Sequence, residues 1–305
     1  MRNIIFDTDP GHDDIMAIMM ALAHPEEFNI LGYTTCCGNQ TVEKVTRNLC
    51  SVLTMIGKDG KVAKGAERPM YLEPEPQPAA HGESGLDGPV LAEPTVLPVD
   101  KDAVEFLHDM ISSVDKVTIV ALAPLTNIAL FIKKYPELIY KIEKITMMGG
   151  SRAGGNVIRH AEFNLYHDPH AARIVFESGI PIVLSDLEVC LECRTPHEIT
   201  DSLTGIGPIH ELAYDIMYFF SQYRRQLKEP GAPLFDLVPV MHMLHPELFE
   251  ELPCNIYIET EGAETRGMSV VTPDEKGRMI LLDHCFDVAK FNEYLLEALD
   301  ILEIK

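Results

Sequence analysis

The sequence lacks an apolar run long enough to form a membrane span. A transmembrane helix takes about 18 consecutive apolar residues, and every apolar stretch of this chain is interrupted sooner. The chain also lacks low-complexity tracts and repeats of fixed period. We therefore expect no membrane partner, and the 305 residues suffice for one large α/β domain.

Positive charge is scarce in this chain. It has 25 Lys and Arg residues against 47 Asp and Glu residues, which gives a formal net charge of −22. Such an excess of negative charge argues against nucleic acid or an anionic membrane surface as a binding partner. The acidic residues are spread along the chain rather than gathered in a tail, which favours a role in solubility.

The cysteine pattern lacks the spacing of a zinc or redox site. The chain has seven cysteines, of which Cys36 and Cys37 are adjacent and Cys190 and Cys193 form a single CxxC. A zinc or disulfide-exchange role needs a second pair or a thioredoxin-like setting, and the sequence shows neither. No secretory signal precedes the first apolar run, so we expect reduced thiols and a cytoplasmic location.

Short β-rich runs alternate with helical ones along the chain, and near-continuous apolar strands such as 117–122 are typical of a parallel sheet covered on both faces. The predicted strands are 2–6, 29–35, 116–122, 142–148 and 180–184. The predicted helices are 12–23, 41–56, 101–113, 125–135, 168–178, 207–226 and 286–302. We predict a single α/β domain over residues 1–305, with an open, mostly parallel, Rossmann-like sheet, helices on both faces and a small antiparallel portion within residues 254–283.

Four carboxylates lie within eight residues near the start of the chain, in the segment Asp7-Thr8-Asp9-Pro10-Gly11-His12-Asp13-Asp14. This segment joins the apolar run 4–6 to a second apolar run at 15–22. Aspartate is favoured at helix N-termini, but capping accounts for one or two of these residues rather than four. Burying unpaired carboxylates is costly, and a hard cation with oxygen ligands offsets that cost. The segment therefore predicts a metal site.

Polar residues also follow the other predicted parallel strands. Asn39 comes after the second strand, and Asn156, Glu162 and Asn164 come after the fourth. Glu162 and Asn164 alternate around Phe163, so both can face one side of an extended segment. Because ligands of open parallel sheets bind beyond the carboxyl ends of the strands, we expect these side chains to converge. The long loop 66–100 carries His81 and has the length of an active-site element.

The ordered motifs resemble those of the inosine–uridine-preferring nucleoside hydrolases. The matching segments are Asp7 to Asp14, Gly38-Asn39, His81 to Gly88, Pro124 to Asn127, Met148 to Gly150, Ala161 to Asn164, Asp168-Pro169 and Thr265 to Met268. They span essentially the whole chain. The Gly11-His12-Asp13-Asp14 and Gly38-Asn39 segments look most like those of pyrimidine-leaning bacterial ribonucleoside hydrolases.

The resemblance implies a bound Ca²⁺, a nucleoside substrate and a homodimer or homotetramer. The implied metal ligands are Asp9, Asp14, the backbone carbonyl of Leu122, and Asp236. The implied substrate-binding residues are Asp13, Asn39, Asn156, Glu162, Asn164 and Asp236, and the implied catalytic residues are Asp9, Asn39 and His81. By the same resemblance, a Ca²⁺-bound water attacks the anomeric carbon, Asp9 takes its proton, and the products are ribose and the free base.

The residues that handle the departing base differ from the pattern of the family. The pyrimidine-leaning relatives place a His before the last metal-binding Asp, whereas this chain has Phe235 before Asp236. Tyr223 is the nearest tyrosine upstream, and His81 is the remaining histidine candidate. We expect hydrolysis of pyrimidine ribonucleosides such as uridine and cytidine, with a base side that departs from the family.

Two other functions are compatible with parts of the sequence. The Phe235 substitution keeps open a nucleoside- or ribose-binding homologue with altered or lost catalysis. Asp7-Thr8-Asp9 after a strand also resembles the nucleophile motif of aspartyl-phosphate phosphatases. That enzyme class needs a later acidic pair at a strand end, and Gly149-Gly150-Ser151 offers no carboxylate.

Overall fold

The computed structural model describes residues 1–304. The strands are β1 Arg2–Thr8, β2 Phe28–Thr35, β3 Val62–Lys64, β4 Val117–Ala121, β5 Ile142–Met148, β6 Ile182–Ser185, β7 Arg194–Pro196, β8 Gly231–Pro233, β9 Phe249–Ile258, β10 Ser269–Pro273 and β11 Met279–Cys285. The helices are α1 His12–Ala23, α2 Val42–Met55, α3 Pro78–His81, α4 Ala103–Ser112, α5 Thr126–Lys134, α6 Phe163–His167, α7 Pro169–Glu177, α8 Leu187–Glu192, α9 His197–Asp201, α10 Pro208–Gln226, α11 Leu237–Leu244 and α12 Val288–Ile304. Two short 3₁₀ segments, Pro136–Lys141 and Pro246–Leu248, complete these elements.

Nine strands form one mixed sheet in the order β10-β9-β11-β6-β5-β4-β1-β2-β3. The pairings from β11 through β3 are all parallel, and β9 pairs antiparallel with both β10 and β11. The predicted α/β fold with a mostly parallel sheet is therefore confirmed. The predicted late antiparallel portion is also present, and β11 joins it to the main sheet through β6.

The strand order reverses direction at β1. The chain passes from β1 to β2 and β3 on one side, and then crosses to β4, β5 and β6 on the other. Such a reversal opens a crevice at the carboxyl ends of the two central strands, because their connections leave on opposite faces. The residues that follow β1 and β4 therefore lie at the mouth of this crevice.

Hydrophobic residues cover both faces of the sheet, as predicted. Ile4 and Phe6 of β1 pack with α1, α2, α10, α11 and α12 on one face, whereas Ile5 packs with α4, α5 and α7 on the other. This division follows from the two-residue period of a strand. α1 is buried at every position except Leu22, because it lies between the sheet and neighbouring helices. Such burial explains why its sequence 15–22 is almost wholly apolar.

Several short elements were absent from the sequence prediction, namely β3, β7, β8, α3, α6, α8 and α9. β7 and β8 form a separate two-stranded antiparallel sheet.

All seven cysteines are free thiols and buried. Among residues 1–304, no helix combines the length and apolar character needed to cross a bilayer. The single-domain assignment of residues 1–305 stays a prediction.

Candidate active site

A cavity of about 610 Å³ opens at the carboxyl ends of the central strands. All the predicted site residues line it except Asp9 and Asp14, which lie buried beside them. The lining residues from that set are Asp13, Asn39, His81, Leu122, Asn156, Glu162, Asn164 and Asp236. Residues that are more than 200 positions apart in sequence thus meet in one place, because the parallel strands deliver their loops to one edge of the sheet.

Three aspartates form the acidic cluster at this cavity. Carboxylate oxygens of Asp13, Asp14 and Asp236 all lie within 4.8 Å of one another. The carboxyl groups of Asp14 and Asp236 lie close enough to share a hydrogen bond when one of them holds a proton. Burial, followed by the charges of Asp13, Asp14 and Asp9, raises the pKa of Asp236 well above its usual range.

Asp13 is held in the cluster by the start of α11. Its carboxylate accepts hydrogen bonds from the backbone amides of Phe235 and Asp236. Burial and then the charge of Asp14 nevertheless raise the pKa of Asp13 from 3.8 to about 7. Asp236 occupies the N-cap position of α11 but makes no capping hydrogen bond with its side chain. Its carboxyl group is therefore committed to the acidic cluster and not to the helix.

Asp9 lies next to the acidic cluster and is 1% exposed. Its Oδ2 accepts a 2.6 Å hydrogen bond from the amide of Asn39, whereas its buried Oδ1 has no partner among residues 1–304. Gly38 permits this contact, because a Cβ there would lie 1.9 Å from Asp9 Oδ2. Burial and the charge of Asp14 raise the pKa of Asp9 well above its usual range.

Asp14 is oriented by several donors. Its Oδ1 accepts hydrogen bonds from the Thr8 hydroxyl and from the amide of Asp9, and its Oδ2 accepts one of 3.1 Å from the amide of Gly11. The Asn39 amide group donates to the same Oδ2 at 3.3 Å. Asp14 therefore does cap the first turn of α1, as the preference of aspartate for helix N-termini indicates, and it also faces Asp236.

Asp7 does not belong to the acidic cluster, and the sequence interpretation of four grouped carboxylates is wrong in this respect. Its Oδ1 accepts hydrogen bonds from the Thr34 hydroxyl and from Asn127 Nδ2, the latter at 2.8 Å. Successive residues of a strand face opposite sides, so Asp7 shares the face of Ile5 while Thr8 faces α1. Burial raises the pKa of Asp7 to about 6.

The opposite wall of the cavity is built on backbone contacts. Glu162 caps α6, with Oε1 accepting from the amide of Asn164 at 2.8 Å and Oε2 from the amides of Gly150 and Leu165 at 2.9 and 3.2 Å. Burial raises its pKa to about 7. Glu162 and Asn164 thus belong to a helix start and not to the extended segment that the sequence predicted.

Amide side chains position the rest of this wall. Asn164 Nδ2 donates to the carbonyl of Leu122 at 3.1 Å and to that of Met148 at 3.3 Å. These contacts tie α6 to the carboxyl ends of β4 and β5. Asn156 Oδ1 accepts a 2.9 Å hydrogen bond from the amide of Phe163.

The remaining side of the cavity is aromatic. His12 stacks on Phe219 with ring centroids 5.0 Å apart, and both His12 and His81 stack on Phe220. Phe220 also meets Phe235 edge to face at 6.5 Å. Burial lowers the pKa of His12 to about 4 and that of His81 to about 3. Sequence reasoning missed this wall, because Phe219 and Phe220 lie on α10 outside any motif.

The acidic cluster fits a hard cation. Within residues 1–304, no lysine, arginine or histidine forms an ion pair with Asp9, Asp13, Asp14 or Asp236. Burial is the main cause that raises the pKa of all four carboxyl groups, and the charges of their neighbours raise those of Asp9, Asp13 and Asp236 further. Asp9 Oδ1 lacks a donor among the described residues. An all-oxygen donor set of this kind suits Ca²⁺ or Mg²⁺ better than a softer metal.

Comparison with known proteins decides the family. Residues 4–293 match the family model of the inosine-uridine preferring nucleoside hydrolases. The chain belongs to this family. It is an N-glycosyl hydrolase, and the comparison therefore disfavours the phosphatase that the sequence left open.

Individual relatives agree with this assignment. The chain is 43% identical over 273 residues to the pyrimidine-specific ribonucleoside hydrolase RihA of Escherichia coli K12, with 88% of each chain covered. Among solved structures, a purine-preferring ribonucleoside hydrolase from Gardnerella vaginalis superposes with a TM-score of 0.92 at 29% identity, covering 100% of both chains. A plant nucleoside hydrolase, PpNRh1, gives a TM-score of 0.89 at 26% identity, covering 98% of both.

Proposed function

We propose that this nucleoside hydrolase cleaves pyrimidine ribonucleosides, such as uridine and cytidine, to ribose and the free base with the help of Ca²⁺. The observation that carries the proposal is the acidic cluster with the unpartnered Asp9 Oδ1 beside it, at the floor of a cavity of about 610 Å³. A cavity of this volume is within the range of small-molecule sites. The pyrimidine preference rests on the 43% identity to RihA.

The residues that would hold the cation are Asp9, Asp14, Asp236 and the Leu122 carbonyl. Asp13 lies close enough to the acidic cluster to be an additional candidate. Bound there, Ca²⁺ would make a coordinated water more acidic and hold ribose hydroxyls. Asp9 would accept the proton from that water, since its Oδ1 is the carboxylate oxygen that no donor of the described chain occupies.

The ribose would lie between the acidic cluster and the wall formed by Asn156, Glu162 and Asn164. Asn39 is fixed by Asp9 and Asp14 and would bind a ribose hydroxyl at the same edge. Cleavage of an N-glycosidic bond builds positive charge on the sugar, and the buried carboxylates around it favour that charge. Because these groups are already oriented by backbone amides, little reorganisation is needed when the substrate binds.

The base would lie against His81, Phe219, Phe220 and Phe235, with His12 buried behind these rings. A planar pyrimidine fits such a surface, because stacked aromatic rings attract one another beyond the area they bury. Phe235 offers no proton at the position where the pyrimidine-leaning relatives place a histidine. We expect the leaving base to depart with less acid assistance in this chain than in those relatives.

The test is ribose release from uridine, cytidine, inosine and adenosine, measured by a reducing-sugar assay. The enzyme is chelated and dialysed, and then supplied with Ca²⁺ or with Mg²⁺. We expect pyrimidine ribosides to be cleaved faster than purine ribosides, and activity to return with Ca²⁺. The matched control is Asp109→Asn. Asp109 is an exposed residue of α4 that forms an ion pair with Lys101, and the variant should retain activity.

Three results would contradict parts of the proposal. Full activity after chelation would refute the metal requirement. Faster cleavage of inosine than of uridine would refute the base preference and leave the hydrolase assignment intact. Calcium binding without ribose release from any of the four nucleosides would refute nucleoside hydrolysis by this chain.

A further inference from the structure

Two histidines of the aromatic wall form a hydrogen-bonded chain that ends on a backbone carbonyl. His12 Nδ1 lies 3.1 Å from His81 Nδ1, and His12 Nε2 lies 2.8 Å from the carbonyl oxygen of Asp87. Both imidazoles are buried, with exposed fractions of 0% and 7%. Only one hydrogen can lie between the two Nδ1 atoms. The Asp87 carbonyl, through its contact with His12 Nε2, determines which of the two Nδ1 atoms carries that hydrogen.

The proton positions follow from the donors and acceptors available. A carbonyl only accepts hydrogen bonds, so His12 Nε2 carries a hydrogen. A neutral His12 then has a lone pair on Nδ1. Burial between Phe219 and Phe220 disfavours the charged imidazolium and outweighs the opposing charge of the Asp87 carboxylate. His81 Nδ1 must therefore donate to His12 Nδ1. The second nitrogen of His81, Nε2, is left with its lone pair.

We propose that the Asp87 carbonyl and His12 fix the tautomer of His81, so that His81 Nε2 accepts a hydrogen bond from the bound nucleoside instead of donating one. His12 is then a positioning residue, and His81 is a recognition residue for an N–H or O–H group of the substrate. The inference rests on the proposed function, because it takes the ligand of the cavity to be a nucleoside.

The local structure holds this arrangement closely. Gly11 provides the space for the His81 ring, since a Cβ at this position would lie 2.5 Å from His81 Nδ1. The Asp87 carboxylate is engaged elsewhere, accepting from the amides of Glu83 and Ser84 at 3.1 Å each. These contacts fold the loop 81–88 onto itself, and the Asp87 carbonyl is thereby directed at His12. The loop thus supports the proton arrangement from outside the cavity.

With this tautomer, His81 cannot act as an acid toward the departing base. A neutral His81 with a lone pair on Nε2 has no proton there to deliver to a leaving group. The expectation from the sequence that His81 acts catalytically as the remaining acid is therefore replaced by a binding role. The shared chemistry of its ligand is a hydrogen-bond donor, either the N3–H of a uracil base or the 5′-hydroxyl of the ribose.

The direct test is ¹⁵N NMR of the histidine-labelled enzyme without substrate. Long-range ¹H–¹⁵N correlations distinguish the two neutral tautomers, and a spectrum of His81→Asn assigns the signals of His81. We expect His81 protonated on Nδ1 and His12 protonated on Nε2. Protonation of His81 on Nε2 in the unaltered enzyme would overturn the inference.

Two variants of His12 separate the proton arrangement from simple packing. His12→Phe retains an aromatic ring between Phe219 and Phe220 but removes both nitrogens. His12→Asn keeps a side-chain oxygen near the position of Nδ1. We expect His12→Phe to release the His81 tautomer and to raise KM for uridine about fivefold, the equivalent of one hydrogen bond of ~1 kcal/mol, and His12→Asn to recover most of this loss.

Two substrate analogues identify the donor. 3-Methyluridine lacks the N3–H and 5′-deoxyuridine lacks the 5′-hydroxyl. The analogue without the true donor should bind about fivefold more weakly to the unaltered enzyme and be insensitive to His12→Phe, whereas the other should behave like uridine. If both analogues respond to His12→Phe as uridine does, His81 does not accept from the substrate. Failure of all nucleosides to react would refute the proposed function, while the NMR result would stand by itself.

Discussion

The acidic cluster should make the metal-free enzyme lose stability as the pH rises. Asp13 has its pKa raised from 3.8 to about 7 by burial and by the charge of Asp14. Between these two pH values the folded chain keeps a proton that the unfolded chain has lost, so the free energy of unfolding falls as pH increases. A shift of about three pH units corresponds to a ceiling on the order of 4 kcal/mol for this residue.

A bound cation should reverse this effect. At a free Ca²⁺ concentration 100 times its dissociation constant, binding adds ~2.7 kcal/mol to the free energy of unfolding. With an unfolding entropy of about 2.1 cal/mol/K per residue, a chain of this length would gain ~4 °C in Tm. The gain should be larger at pH 8 than at pH 5, because protons compete with the cation for the same oxygens.

Asp236→Asn tests both effects in one variant. The amide group can donate to Asp14 as a protonated Asp236 would, but the side chain carries no charge. We expect the chelated variant to melt at a higher temperature than the chelated parent enzyme at pH 8, and to lose the calcium-dependent rise in Tm.

The assay is differential scanning fluorimetry from pH 5 to pH 8, with chelator and with Ca²⁺. Asp109→Asn is the control and should follow the parent enzyme in every condition, since Asp109 is at an exposed ion pair with Lys101. A calcium-dependent rise that survives Asp236→Asn would refute the location of the cation. The Tm advantage of chelated Asp236→Asn over the chelated parent should grow between pH 5 and pH 7, a comparison in which the opposite effect of buried histidines such as His12 and His81 cancels; an advantage that stays constant would refute the reasoning from the acidic cluster.

Asp9→Ala should lower kcat for uridine by at least 10²-fold, the scale of a lost general base; near-normal kcat in a folded variant would show that another group takes the proton. Phe235→His should raise kcat for uridine and cytidine if acid assistance to the base is limiting, and an unchanged rate would show that it is not. Glu162→Gln should destabilise the fold by ~1–3 kcal/mol in urea unfolding, because its amide nitrogen would face backbone donors; unchanged stability would mean that the loop rearranges. 2′-Deoxyuridine should show a kcat/KM at least 10²-fold below that of uridine; equal values would refute recognition of the 2′-hydroxyl.

Sequence reasoning located the fold and the polar edge of the sheet because both depend on local patterns. Apolar strands that alternate with helices dictate a parallel sheet, and a parallel sheet places every following loop on one edge. Asn39 and Glu162 could therefore be assigned to one cavity from their positions after strands. Asp236 came only from the family resemblance, since no local pattern links a residue at the start of α11 to β1.

Other parts of the site escaped the sequence for physical reasons. The separation of Asp7 from the acidic cluster follows from strand alternation, but only once β1 is known to extend to Thr8. Placing Phe219 and Phe220 in the aromatic wall depends on how α10 packs against α1, which is a tertiary contact without a sequence signature. The hydrogen bond between His12 and His81 likewise joins residues 69 positions apart through a loop of irregular structure.

The two sides of the cavity are held by different kinds of interaction, and this difference bears on specificity. On the side proposed for the sugar, Glu162 and Asp14 are buried and fixed by backbone amides, so these polar groups cannot rearrange to suit a ligand that lacks a hydroxyl. On the base side, Phe219 and Phe220 contact whatever ring is present, and a stacked surface distinguishes bases weakly. Polar mismatches in a buried site cost more than imperfect apolar contacts. In the proposed binding mode, selection for ribose depends on the scaffold, whereas selection among bases depends on a few side chains such as His81 and Phe235.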